Sequence, residues 1–146
     1  MSVVRSRKQA TGNFGENAAA AYLQKQGMKI VSRNWRSGPH ELDIICLQND
    51  TLVFAEVKTR AAGGRETPAE ALHRGKRKSL LRAAGEYLNK NNLWEMPCRF
   101  DLVSVVTGEA GQCQVEHIEN VFNFDETSAG SGWKALDCGH TPWQPW

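Results

Sequence analysis

The stretch from His40 to Thr59 constrains this chain most, because it reads as two strands joined at Asn49-Asp50. Side chains on a strand alternate between its faces, so residues two apart share one. On the first strand, His40–Gln48, alternation sets Leu42, Ile44 and Cys46 against Glu41, Asp43 and Ile45. On the second, Thr51–Thr59, it sets Val53, Ala55 and Val57 against Phe54, Glu56 and Lys58. A turn at Asn49-Asp50 pairs residues whose numbers sum to about 99, which brings Asp43 opposite the neighbourhood of Glu56.

Charged residues alternating on a hairpin are ordinarily a solvated face with cross-strand ion pairs. Here Leu52-Val53-Phe54-Ala55 leads into Glu56 as a core-strand sequence, and a central strand is a poor place for a solvated pair. The carboxylates of Glu41, Asp43 and Glu56 then converge with the Lys58 ammonium on a small area of sheet. Carboxylates held that close repel one another, and a divalent cation relieves the repulsion. Mg²⁺ accepts two carboxylates with waters and a substrate phosphate, and Mn²⁺ is the alternative. Such an ion lowers the pKa of a bound water and offsets charge developing on a phosphodiester. Lys58 is placed to orient that water or stabilise the phosphate.

Around the hairpin, spacing predicts a helix over Phe14–Gln26, capped by Asn13 and closed by Gly27. One stripe holds Phe14, Ala18, Ala21 and Tyr22 and a second holds Glu16, Ala19, Ala20 and Leu23, so the helix is expected to be covered on more than one side. Strands are expected over Met28–Trp35, Arg99–Val106 and Gln112–Ile118. A helix from Pro68 to about Lys90 would bury Leu80, Leu81, Ala84, Tyr87 and Leu88. The order gives an α/β domain with a mixed central sheet flanked by helices. Residues 1–12 read as a loose basic arm, 13–124 as the domain, and 125–146 as an acidic appendage carrying Trp133, Trp143 and Trp146.

The net charge of +2 conceals a division: residues 1–100 hold 17 basic and 9 acidic groups, and residues 101–146 hold 1 and 7. A basic body suits a polyanionic partner. No apolar run nears the roughly 20 residues that cross a bilayer, and MSVVRSRKQATG has no secretory apolar stretch, so a cytoplasmic protein without a membrane partner is expected. The four cysteines form no C-x-x-C pair, which argues against a zinc ribbon or thioredoxin-type site.

Five blocks, Gly15-Glu16…Tyr22-Leu23, Asn34-Trp35-Arg36, Gly38…Glu41-Leu-Asp43-Ile-Ile, Leu52…Glu56-Val-Lys58-Thr-Arg60 and Arg99-Phe-Asp101-Leu-Val, resemble the YraN-like family of small bacterial proteins. That family is similar to archaeal Holliday-junction resolvases and, by resemblance, to the PD-(D/E)xK superfamily. The resemblance, over about residues 12–123, implies a restriction-endonuclease-like core and metal-dependent endonuclease cleavage of DNA; branched or structured DNA is the expected substrate, which the resemblance itself does not supply. A nucleic-acid-binding protein that retains the fold without cleavage is the alternative. By the same resemblance Asp43 and Glu56 are metal-binding carboxylates, Lys58 is the motif lysine, and Glu16 is a further catalytic and metal-binding acid. Asn13 and Glu16 also have capping-box spacing, which would give Glu16 a structural task instead. Glu41 ranks below these as a further ligand. The superfamily's proline has no adjacent counterpart, since Leu42 precedes Asp43 and Pro39 lies further back.

Arg60 and Arg65 in the loop after the second strand, residues 60–67, and Arg74, Lys76, Arg77, Lys78 and Arg82 on the following helix form a candidate phosphate-contact stripe. His73 is a further candidate phosphate donor. A junction-cutting enzyme acts on two strands, and a C2 homodimer would supply two sites.

Overall fold

The computed structural model describes residues 3–63 and 67–122. Their centre is a five-stranded sheet in the order β1 (Lys29–Ser37), β2 (His40–Gln48), β3 (Thr51–Ala61), β4 (Cys98–Thr107) and β5 (Cys113–Phe122). Helix α1 (Val3–Lys25) precedes the sheet, and α2 (Pro68–Ala71) and α3 (Arg74–Asn91) lie between β3 and β4. Neighbouring strands are antiparallel except β3 and β4, which are parallel. A parallel pair needs a crossover, and the α2–α3 segment provides it. The result is the expected α/β fold, a mixed sheet with helices, consistent with a restriction-endonuclease-like core.

The β2–β3 hairpin has the expected register, with Ile44 facing Ala55 and Gln48 facing Thr51. Asn49 makes the turn at φ 54°, a left-handed conformation that asparagine tolerates. One side of the sheet packs Phe54, Phe100, Leu102 and Phe122 against Leu80, Leu81, Ala84, Tyr87 and Leu88 of α3. The other packs Ile44, Cys46, Val53, Ala55, Val103 and Val105 against Ala19, Ala20 and Leu23 of α1. Each fully buried Leu or Phe contributes roughly 1.5–3 kcal/mol, so the sheet holds the helices more than their own propensity does.

Helix α1 departs from expectation at both its start and its buried face. It begins at Val3, so residues 3–12 are helical rather than an arm, and Asn13 lies within the helix rather than capping it. The capping-box role for Glu16 falls with that cap. Phe14 is 42% exposed and Ala21 is exposed, whereas Gly15, Ala19, Ala20 and Leu23 are buried and Ala18 and Tyr22 pack partly buried beside them, so one face of α1, drawn from both stripes, meets the sheet. The helix expected from Pro68 is interrupted at Leu72-His73. There Leu72 turns into the core and His73 caps α3, its Nδ1 accepting the Lys76 N–H at 3.2 Å.

Strict alternation also fails on β2. Leu42 packs beneath α3 with Ile45 and Phe54, while Ile44 and Cys46 face α1. Pairing with β3 runs only as far as Ile44–Ala55, and next to it the Asp43 carboxylate accepts the Val57 N–H at 2.9 Å. A side chain stands there in place of a backbone carbonyl, so the strands part and the two-residue period is lost.

Candidate metal and nucleic-acid site

Asp43 therefore occupies the point where β2 leaves β3. Glu56 directly follows Ala55, the last β3 residue paired with β2, on a strand flanked by neighbours on both sides. Its side chain is only 12% exposed. Burial, and after it the Asp43 charge, push the Glu56 carboxyl up to about 8 despite the opposing influence of Lys76. Glu56 Oε1 receives Lys76 Nζ at 3.0 Å, while Oε2 is buried with no hydrogen-bond partner among the described residues. Burial disfavours the Lys76 charge, but Glu56, and then Asp43 and Glu41, raise its pKa above the ordinary value.

Glu16 comes from α1. Its Oε2 lies 3.7 Å from Arg33 Nη2, which also donates to Asn17 Oδ1 at 2.8 Å. Burial raises the Glu16 pKa, an Asn34 hydrogen bond opposes this, and the charges of Asp43 and Glu41 add to the rise. Glu16 is thus within electrostatic reach of Asp43. Glu41 pairs across the β1–β2 turn with Arg36 at 3.6 Å, both side chains well exposed. Lys58 is exposed two residues beyond Glu56, on the same side of β3 by alternation.

The fold joins Asp43 with Glu56 and leaves Glu16 and Glu41 as neighbouring charges. Among the described residues no three His, Cys, Asp or Glu side chains are arranged to hold a metal ion. The pair by itself fits a hard cation that keeps several waters and takes one or two carboxylates, because its donors are all oxygen and one is buried and unpartnered. The cavity beneath Asp43 and Glu56, walled by Leu42, Phe54, Leu80 and Phe122, holds about 10 Å³. That is room for one water at most, so a phosphodiester would have to approach from outside.

The predicted basic stripe is only partly assembled. Arg74, Lys78 and Arg82 are exposed at four-residue spacing along α3. Lys76 instead turns to Glu56. Arg77 donates from Nε to the Leu72 carbonyl at 2.6 Å, and its guanidinium lies 5.8 Å from the Phe122 ring centroid. Arg60 pairs with Glu116 at 3.2 Å. Arg65 and the 125–146 appendage lie outside the described residues.

Asp101, which sequence reasoning carried only as part of a resemblance, anchors a second polar cluster. It is 1% exposed and accepts hydrogen bonds from Arg99 Nε at 2.9 Å, Arg99 Nη2 at 3.0 Å and the Asn120 N–H at 3.0 Å. His117 Nε2 completes the set at 2.7 Å. Burial works to raise the Asp101 pKa, but the bonds from His117, Arg99 and Asn120 hold it below the usual carboxylate value. These bonds join β4 to β5 where their pairing shifts between Phe100 and Leu102. A lone acid on an apolar strand was the available signal, since a buried carboxylate demands partners.

Among the described residues no helix is long and apolar enough to cross a membrane. Residues 15–105 match the family model described as Uncharacterised protein family UPF0102. A UPF0102 protein of Nitratidesulfovibrio vulgaris is 49% identical over 95% of this chain and 97% of its own. One from Lawsonia intracellularis is 41% identical over 92% and 96%, and one from Bacteroides thetaiotaomicron 42% identical over 76% and 90%. With the match spanning every element from the middle of α1 into β4 and relatives aligned over nearly their whole length, this chain belongs to the UPF0102 family.

Proposed function

We propose that this protein is a Mg²⁺- or Mn²⁺-dependent endonuclease that hydrolyses phosphodiester bonds in branched or otherwise structured DNA. The observation carrying this reading is the Asp43–Glu56 pair, two carboxylates held together at a strand divergence with one buried oxygen unpartnered among the described residues. Asp43 is fixed by the Val57 N–H and Glu56 by the central strand, so both would hold the ion with little freedom to lose. When bound, the ion would lower the pKa of a water and offset charge on the scissile phosphate. Lys58 would orient that water or contact a phosphate oxygen as a compact charge. Glu16 adds negative potential from α1. The exposed row Arg74, Lys78 and Arg82 would grip backbone phosphates without reading bases. Water adds to phosphorus, the ester P–O bond breaks, and the departing oxygen takes a proton.

A second reading, a nucleic-acid-binding protein that keeps the fold without cleavage, is favoured by the Lys76–Glu56 ion pair, which offsets the buried charge without a metal. Incubation with branched, flapped, single-stranded and linear DNA plus Mg²⁺ or Mn²⁺, beside Asp43→Asn and Lys58→Ala, separates the two. Cleavage by the wild type and its loss in both variants supports the enzyme; salt-sensitive binding without cleavage supports the binding protein.

A further inference from the structure

We propose that the Lys76 ammonium is the resident counter-ion of the Asp43–Glu56 pair, competing with a divalent cation for the negative charge of the pair and leaving the site when the cation binds. This rests on the reading that the pair holds such a cation. Lys76 Nζ stands 3.0 Å from Oε1. A dication held by the same carboxylate pair, whether through the unpartnered Oε2 or through Oε1, would stand within a few ångströms of the ammonium, and two positive charges that close repel one another strongly.

The two partners differ in their freedom to move. Glu56 is carried by a central strand and its side chain is 12% exposed; Lys76 reaches it on a four-carbon stem and is 40% exposed. The cation would therefore displace the lysine and leave the glutamate in place. The location of Lys76 points the same way. It sits in the first turn of α3, which contains no acidic residue, and a positive charge at a helix N-terminus is unfavourable for the helix itself. Glu56 offsets that cost, since a desolvated carboxylate pair with no counter-ion is strongly destabilising. Once released, Lys76 would remain a positive charge close to the pair, where a phosphate drawn to the cation would meet it. Cation binding would thereby add a charge to the face that meets the polyanion.

Trace acetylation of the full-length protein with acetic anhydride, read residue by residue by mass spectrometry, measures this displacement without reference to catalysis. Without divalent ions Lys76 should react several-fold more slowly than exposed Lys78. Saturating Mn²⁺ should bring Lys76 up to the Lys78 rate and leave Lys78 unchanged. Calorimetry should show Mn²⁺ binding at least about tenfold tighter in Lys76→Met than in the wild type, since a neighbouring positive charge has been removed. Bound Mn²⁺ with no change in Lys76 labelling would overturn the inference. Absence of Mn²⁺ binding in both wild type and Lys76→Met would overturn it together with the cation site. Release of Lys76 by Mn²⁺ with no cleavage of any DNA would leave the inference standing and remove the nuclease reading.

Discussion

Gly15 lies against Thr59 so closely that a Cβ added to the glycine would overlap Thr59 Oγ1 and meet Thr59 Cβ at 3.0 Å. This contact seats α1 on β3 and delivers Glu16, the next residue, to within electrostatic reach of Asp43. A helix presenting small residues to the sheet thus sets the distance between its own acid and those of the hairpin.

Gly15→Ala should destabilise the fold by about 1–3 kcal/mol, the usual cost of forcing a methyl group into a packed contact. Urea unfolding monitored by circular dichroism measures it. Thr59→Gly introduced beside Gly15→Ala removes the obstructing atoms, and it should lessen the steric part of the loss beyond what the two single changes predict by addition.

Glu56 gives stability an unusual pH dependence. A carboxyl whose folded pKa lies above its unfolded value binds its proton more tightly in the folded chain. Its contribution is full below the unfolded value near 4.5 and is lost as pH rises toward about 8. Thermal melts from pH 5 to 8.5 should show this decline in wild type and a weaker one in Glu56→Gln, which remains neutral. Mn²⁺ should raise the melting temperature more at pH 8 than at pH 5.5, because proton and cation compete for one carboxylate pair.

Asp101 behaves in the opposite sense. Its folded pKa is depressed, so its contribution is present above the unfolded value of about 3.8 and is lost as pH falls through the folded value. Asp101→Asn leaves Arg99 and His117 without their carboxylate and should cost about 3–5 kcal/mol, as breaking a buried ion pair does. Chemical denaturation at pH 7 checks this, and the acid limb of the melting curve should flatten in the variant.

The exposed α3 row should act on binding alone. Replacing Arg74, Lys78 and Arg82 together with Gln should leave the melting temperature within a few degrees of wild type. The same change should weaken DNA binding and reduce the salt slope by up to about 3, one for each lost phosphate contact. Fluorescence anisotropy over a salt series reads both quantities.

The hairpin was legible because a short turn at Asn49-Asp50 leaves little freedom of register, and the alternation of Phe54, Glu56 and Lys58 held along a strand that stays paired with β4. The same rule failed at Leu42, where β2 loses its pairing with β3 and the Asp43 side chain takes over a backbone bond. Phe14 misled in another way. Its size suggested a buried stripe, but close approach to the sheet favours Gly15, Ala19 and Ala20, and the large ring is left outside. Lys76 was indistinguishable in sequence from its basic neighbours, because only the α2–α3 break and the His73 cap aim it at Glu56. Asp101 became intelligible once β5 brought His117 and Asn120 to it, contacts 16 and 19 residues away along the chain.

Whether Asp43 and Glu56 together hold a divalent cation can be seen by anomalous diffraction at the manganese edge, from crystals soaked in Mn²⁺. A cation shared by the pair gives one strong peak per chain within coordination distance of both carboxylates, with Lys76 Nζ moved away from Glu56, and no such peak in Asp43→Asn. A well-diffracting soak with no peak at the pair, or a peak there that persists unchanged in Asp43→Asn, would contradict a shared cation.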